Sequence, residues 1–199
     1  MTTALLALLV GACAHDPHAV SHVRDTPSAP TAANEGEGAE AAPVAAPAPA
    51  RAAAVLEPRS ASTVRGTVTF AETGPGVVRV DIALEGATPG DHAVHIHENG
   101  DCSDPEAKSA GGHFNPGGAH QHGNVDAADT AKHPGDFGNV TVGADGRGTK
   151  SFEVTTVQLA TSETGVMGRA VVVHAKADEF TQPVGNAGGR QACGTIIAK

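Results

Sequence analysis

The sequence contains no tryptophan and no tyrosine, so a folded core would have to be filled by Val, Ile, Leu and five phenylalanines. Basic residues are also scarce: 13 Lys and Arg against 22 Asp and Glu give a formal net charge of -9. This deficit argues against nucleic acid or an anionic membrane surface as a partner. Residues 51–199 carry 12 Lys and Arg against 17 Asp and Glu. An anionic substrate would therefore need local positive charge.

The N-terminal apolar run, Ala4 to Ala12, is too short to span a bilayer as a helix. It leads into Val10-Gly11-Ala12-Cys13, which is typical of a bacterial lipoprotein signal cut before the cysteine. A secretory signal normally opens with Lys or Arg, and the first three residues have neither, so we expect the coding start to lie upstream. We predict a lipoprotein-type signal over residues 1–13 with lipid on Cys13. The alternative is an ordinary apolar N-terminus with a chance cysteine.

Cysteine is limited to three residues, an odd number that leaves one thiol over in a secreted protein. If Cys13 takes the lipid, Cys102 and Cys193 remain as a pair. A disulfide persists in an oxidising compartment such as the bacterial periplasm or cell exterior. We therefore expect a membrane-anchored protein of the cell envelope, facing the periplasm or the cell surface.

Residues 14–50 are dominated by Ala, Pro, Glu, Ser and Thr and contain no aromatic residue. Such a segment buries too little apolar surface to offset the entropy of ordering it. We predict a disordered tether, extended by its prolines, that holds a folded domain of residues 51–199 away from the membrane.

Beyond residue 51, short apolar runs alternate with polar residues, as in Val78-Arg79-Val80-Asp81-Ile82, and turn residues separate them. Many short strands of this kind indicate an all-β sandwich or barrel. Two stretches, Glu98–Phe137 and Ala177–Gly189, break the rhythm, and long loops of this kind are normally functional. The predicted strands are 52–56, 64–70, 77–84, 93–97, 149–154, 169–174 and 194–197.

Eight of the eleven histidines lie in the predicted domain. His95-Ile96-His97 ends a strand, where side chains two apart share a face and can approach one metal ion. Alone, such a pair is more often two surface histidines. Here one long loop adds further imidazoles and a carboxylate that suit tetrahedral zinc, and His174 at a strand end would complete a copper site. The loop ligand candidates are His113, His120, His122, His133 and Asp136.

These motifs resemble, in order, those of the copper/zinc superoxide dismutase family over residues 52–198. The resemblance implies a Greek-key β-sandwich or barrel with two long functional loops. It also implies one copper and one zinc per subunit and a reaction that converts two superoxide anions and two protons to oxygen and hydrogen peroxide. The matching runs are His95 to Glu98, Gly111 to Pro116, His133 to Asn139, Gly168 to Asp178 and Asn186 to Gly194.

The resemblance also assigns individual roles. The implied copper ligands are His95, His97, His113 and His174. The implied zinc ligands are His113, His122, His133 and Asp136, with His113 shared between the metals as an imidazolate. Cys102 and Cys193 match the family disulfide, Arg190 matches a catalytic arginine that draws the substrate anion, and Asp178 matches a carboxylate that links one copper ligand to one zinc ligand.

Two departures stand out. Gln121 occupies the position, eight residues after His113, where the family usually has its middle zinc ligand; a one-residue insertion brings His122 there, with His120 as the alternative. The second loop is short and lacks a run of Glu and Lys that would focus superoxide. Steering would then depend on Arg190 and Lys176 alone.

Three rival functions remain for comparison. A copper-delivery lipoprotein would lack some ligands or the arginine, a copper-only dismutase would lack the zinc set, and a structural sandwich would not need eight domain histidines. His15, His18 and His22 in the tether are expected to be solvated polar residues, with copper capture as the alternative. A homodimer stays open, because dimer contacts in the family carry no local motif.

Overall fold

The computed structural model describes residues 50–126 and 132–199. Cys13, the tail histidines and the predicted tether up to residue 49 lie outside the described residues. No helix within the described ranges is long and apolar enough to cross a membrane. The described residues form nine strands: β1 Arg51–Pro58, β2 Arg65–Gly74, β3 Val77–Glu85, β4 Gly90–His97, β5 Asp136–Val142, β6 Arg147–Val154, β7 Ala170–His174, β8 Arg190–Thr195 and β9 Ile197–Ala198.

All strand pairs are antiparallel, and they close into a barrel. The hydrogen-bonded order is β2-β3-β6-β5-β4-β7-β8-β1, and β1 also pairs with β2. The short β9 continues along β1 beyond β8, with Ala53 opposite Ile197. Because β6 lies beside β3 and β7 beside β4, the connections β3–β4 and β6–β7 cross the barrel as in a Greek key. The predicted all-β class is confirmed.

Alternating side chains explain the strands and the core. In β3, Val78, Val80, Ile82 and Leu84 are buried while Arg79 is exposed, so the strand has one inward face. The interior is filled by Val, Ile and Leu around three phenylalanines, which agrees with the absence of Trp and Tyr. The core phenylalanines are Phe70, Phe114 and Phe137.

β7 differs because all five of its residues are buried. It pairs with β4 on one side and β8 on the other. Its Val172 packs outward against Ala107 and Ala110, which belong to the first long loop. A strand that is buried on both faces has apolar residues at consecutive positions, and this explains the three consecutive valines Val171-Val172-Val173.

Two strand predictions were incomplete. β5 was missed, because Asp136 and Gly138 resemble loop residues; Gly138 has a φ of 67°. The first loop therefore ends at residue 135. The predicted strand 194–197 is divided between two strands: β8 already begins at Arg190, since Cys193 pairs with Val172 on β7, and β9 begins at Ile197.

The predicted disulfide is confirmed. Cys102 in the first loop bonds to Cys193 on β8, with Cα atoms 5.7 Å apart and a sequence separation of 91. The bond attaches the first loop to the barrel wall next to Arg190.

Candidate metal centre

Asp178, just beyond β7, links two histidines from distant parts of the chain. His95 Nε2 donates to one carboxylate oxygen at 2.8 Å, and His122 Nε2 donates to the other at 2.7 Å. Burial alone would raise the pKa of Asp178, but these hydrogen bonds lower it below its usual range. Because the carboxylate only accepts, both rings carry a proton on Nε2, so Nδ1 is the nitrogen that each ring can offer to a metal ion.

The Nδ1 atoms of His95, His122 and His133 are buried and make no well-aligned hydrogen bond within the described residues, although those of His122 and His133 lie 3.1 and 3.3 Å from an Asp136 oxygen. Buried polar atoms are nearly always paired, so three unpaired nitrogens in one place call for a specific explanation. A metal ion that accepts the lone pairs supplies one, and the hydrogen bond on the opposite ring nitrogen is the usual companion of a ligating histidine.

Asp136, the first residue of β5, is surrounded by three imidazoles. Its carboxylate oxygens lie 3.2 Å from His113 Nδ1, 3.1 Å from His122 Nδ1 and 3.3 Å from His133 Nδ1. The Gly123 amide also donates to this carboxylate, at 2.9 Å. Burial would raise the pKa of Asp136, but the neighbouring donors lower it far below its usual range. Three nitrogens and one carboxylate form the donor set of a tetrahedral zinc site.

His97 and His174 approach each other from β4 and β7. His97 Nδ1 donates to the Gly111 carbonyl at 3.0 Å, and His174 Nδ1 donates to the Gly188 carbonyl at 3.3 Å. Their Nε2 atoms, 3.4 Å apart, are therefore both free to ligate. Burial and nearby histidines lower the pKa of His97 well below its ordinary value, and burial lowers that of His174 to about 3. Both rings are neutral at pH 7, as metal ligation requires.

His113 lies between the two sets. Its ring centroid is 4.2 Å from that of His95 and 5.2 Å from that of His122. Burial lowers the pKa of His113 to about 4, although Asp136 opposes the shift. Two groups have ligand atoms all within 4.8 Å of one another: His95, His97, His113 and His174 in one, and His95, His113, His122 and Asp136 in the other. His133 falls outside the second group at that distance but contacts Asp136.

Arg190 is held beside this centre by two backbone oxygens. Its Nη1 donates to the Ala107 carbonyl and its Nη2 to the Gly111 carbonyl, each at 2.6 Å. Burial lowers the pKa of Arg190, but guanidinium remains charged in proteins. It lines a cleft together with His97, His113, His174, Val184 and Asn186, and no described residue lining the cleft is acidic.

Two domain histidines lie elsewhere. His120 Nδ1 hydrogen-bonds to the Asn115 side chain at 3.2 Å, so the structure brings His122, and not His120, to Asp136. His92 is buried, with its ring nitrogens at the carbonyls of His174 and Thr88. Lys176 is exposed and does not line the cleft.

A closed antiparallel barrel with two adjoining sets of imidazole and carboxylate ligands defines a metalloprotein with two linked metal sites. Comparisons with known proteins identify the family of metalloproteins to which the chain belongs. The family model for copper/zinc superoxide dismutase matches residues 64–196. The copper/zinc superoxide dismutase of Deinococcus radiodurans is 42% identical over 144 residues, covering 68% of this chain and 78% of that protein.

A second relative, copper/zinc superoxide dismutase 2 of Brassica juncea, is 43% identical over 145 residues, covering 69% of this chain and 91% of that protein. The crystal structure of the clock protein EA4 matches with a TM-score of 0.67 and 37% identity, covering 76% of this chain and 96% of that one. The chain belongs to the copper/zinc superoxide dismutase family. It is an oxidoreductase whose substrate is superoxide and whose cofactors are copper and zinc.

Proposed function

We propose that superoxide is dismutated at a copper ion held by His95, His97, His113 and His174, beside a zinc ion held by His113, His122, His133 and Asp136. The observation that carries this assignment is the set of three buried Nδ1 atoms that make no well-aligned hydrogen bond in the described part of the chain. Two of them belong to rings whose Nε2 atoms are fixed by Asp178. When bound, copper supplies the one-electron chemistry, while zinc is redox-inert.

Arg190 would attract and orient the substrate anion. Apart from the histidines, its guanidinium is the one ionisable side chain among the described residues that line the cleft. Its hydrogen bonds to two backbone carbonyls fix its position. A planar, permanently charged group suits a small anion better than a flexible ammonium. This local charge offsets the acidic character of the domain as a whole.

His113 is the residue placed to handle a proton. Its Nδ1 faces Asp136 on the zinc side, so its Nε2 is the atom left for the copper side and for the cleft. Burial lowers the pKa of the metal-free ring to about 4, so His113 is not an imidazolium at pH 7. His113 thus joins the two sites chemically as well as spatially.

The test is metal analysis combined with an activity assay on purified residues 51–199. We expect one copper and one zinc per chain and dismutase activity that disappears when copper is removed. Full metal loading without activity would support copper delivery instead. Activity without zinc uptake would support a copper-only dismutase.

We further propose that the domain is exported and anchored by lipid on Cys13, with residues 14–50 as the tether. The Cys102–Cys193 disulfide supports an oxidising compartment. In this setting the enzyme would protect the cell envelope from superoxide. Changing Cys13 to Ser should release the protein from membranes into the soluble fraction, and a protein that stays membrane-bound would refute the anchor.

A further inference from the structure

Gln182, in the short second loop, makes a two-point contact with the backbone of His122. Its Oε1 accepts from the His122 amide at 3.0 Å, and its Nε2 donates to the His122 carbonyl at 2.7 Å. One side-chain amide thus hydrogen-bonds to both the backbone amide and the backbone carbonyl of a residue 60 positions away in the sequence. This geometry resembles the pairing between neighbouring β-strands and restrains the two peptide groups that flank the His122 Cα.

The rest of the second loop also converges on His122. Asp178 holds its Nε2, and the Phe180 ring stacks on its imidazole with centroids 6.5 Å apart and planes at 16°. Gly185 lies so close that a Cβ there would come within 2.6 Å of His122 Nε2. The loop therefore grips both the ring and the backbone of this one histidine.

The neighbouring ligands are held differently. His113 forms a backbone bridge with His97, and the next residue, Phe114, donates to the Ile96 carbonyl at 2.8 Å. The His133 amide donates to the Gln121 carbonyl at 2.9 Å. These residues are fixed by main-chain contacts. The Gln121 carbonyl and the Gly123 amide, on either side of His122, are also held, by the His133 amide and by Asp136, whereas the amide and carbonyl of His122 itself contact the Gln182 side chain.

We propose that Gln182 is a positioning residue for the zinc site, acting through the backbone of His122. The inference rests on the proposed function, because it takes His122 as a zinc ligand. Loss of the contact would let the His122 peptide rotate and move Nδ1 relative to Asp136. Since Asp178 also binds His95, the same loop connects zinc-side geometry to the copper side.

The experiment compares Gln182→Met with wild type in the full domain with its disulfide intact. Methionine keeps the length of the side chain but removes both hydrogen bonds. Gln158→Met is the matched control, because Gln158 is also exposed and lies in the connection between β6 and β7. Zinc affinity is measured by chelator competition, and Co²⁺ in the zinc site reports ligand geometry through its visible spectrum.

We expect zinc to bind about tenfold more weakly in Gln182→Met, the lower end for residues that orient metal ligands, because Gln182 is exposed to competing water. The Co²⁺ spectrum should shift, while Gln158→Met matches wild type.

Wild-type zinc affinity and an unchanged Co²⁺ spectrum in Gln182→Met would overturn the inference. An equal loss of zinc and copper together with a lower unfolding midpoint of the metal-free domain would also overturn it, since that pattern marks a general structural role. A wild-type protein that takes up no zinc would overturn the zinc site itself, and the inference with it.

Discussion

Gly185 is the position where a single added methyl group should do most harm to the metal centre. It has a φ of 76°, and a Cβ would lie 2.0 Å from Asp178 Oδ1. The turn has little room to relax, because the Gly185 amide donates to Thr181 at 2.7 Å and its carbonyl accepts from Glu179 at 2.8 Å. Gly185→Ala must therefore displace Asp178.

Two costs add. A left-handed conformation costs a non-glycine residue about 1–2 kcal/mol. Breaking the charged hydrogen bond between Asp178 and His122 costs about 1.5–3 kcal/mol. The variant should thus lose about 3–5 kcal/mol of unfolding free energy. Gly168→Ala is the control, because Gly168 has the same φ of 76° with no atom within 4 Å of the added Cβ, so it should lose only about 1–2 kcal/mol.

Denaturant unfolding of the metal-free domain measures both variants, provided that the m-value is unchanged. Zinc affinity should fall in Gly185→Ala and stay near wild type in Gly168→Ala. Equal destabilisation of the two variants would show that backbone strain is the whole effect, and that the Asp178 contact does not hold the site together as argued.

Three further predictions concern the charge, the disulfide and pH. Arg190→Ala should lower kcat/KM about tenfold or more and weaken its salt dependence while sparing metal content; an unchanged rate would remove the steering role. Replacing Cys102 and Cys193 by Ser should lower the unfolding free energy by about 4 kcal/mol, measured by denaturant unfolding, because the bond closes a long loop; a loss below about 1 kcal/mol would contradict this. The metal-free domain should be most stable near pH 6.5. Below that pH the unfolded chain binds a proton at His113 that the folded chain does not bind, because burial lowers the pKa of this ring to about 4 in the folded state, so the free energy of unfolding falls. Above it the stabilisation from protonated His122, whose pKa Asp136 and Asp178 raise to about 9 against the effect of burial, is lost. Denaturant midpoints from pH 4 to 9 check this, and a flat profile would refute it.

The sequence was a good guide to the strands whose two faces differ. Alternation located β3 almost to the residue, because its inward and outward side chains have different chemistry. It failed for β5, where Asp136 begins the strand as part of the metal centre and Gly138 takes a left-handed conformation. A residue whose side chain serves the metal centre does not have to follow the alternation of apolar and polar residues that identifies a strand.

The same limit applied within the site. Imidazoles and carboxylates are chemically distinctive, so the sequence indicated the candidate ligands, and the resemblance to the family selected those that meet at Asp136. The carbonyls of Ala107 and Gly111 were missed, since every residue has one and the sequence does not mark which will accept from Arg190. Gln182 was missed because a glutamine in a short loop carries no signal until the fold places it against His122.

The Gly111 carbonyl accepts hydrogen bonds from both Arg190 and His97. The guanidinium that we propose to bind the anion and one of the rings proposed to bind copper therefore share a hydrogen-bond acceptor, so a displacement of the Gly111 peptide would move both together. A protein engineer who alters the exposed residues of the first loop must therefore keep this oxygen in place, together with the candidate metal ligands and Cys102 that the same loop carries.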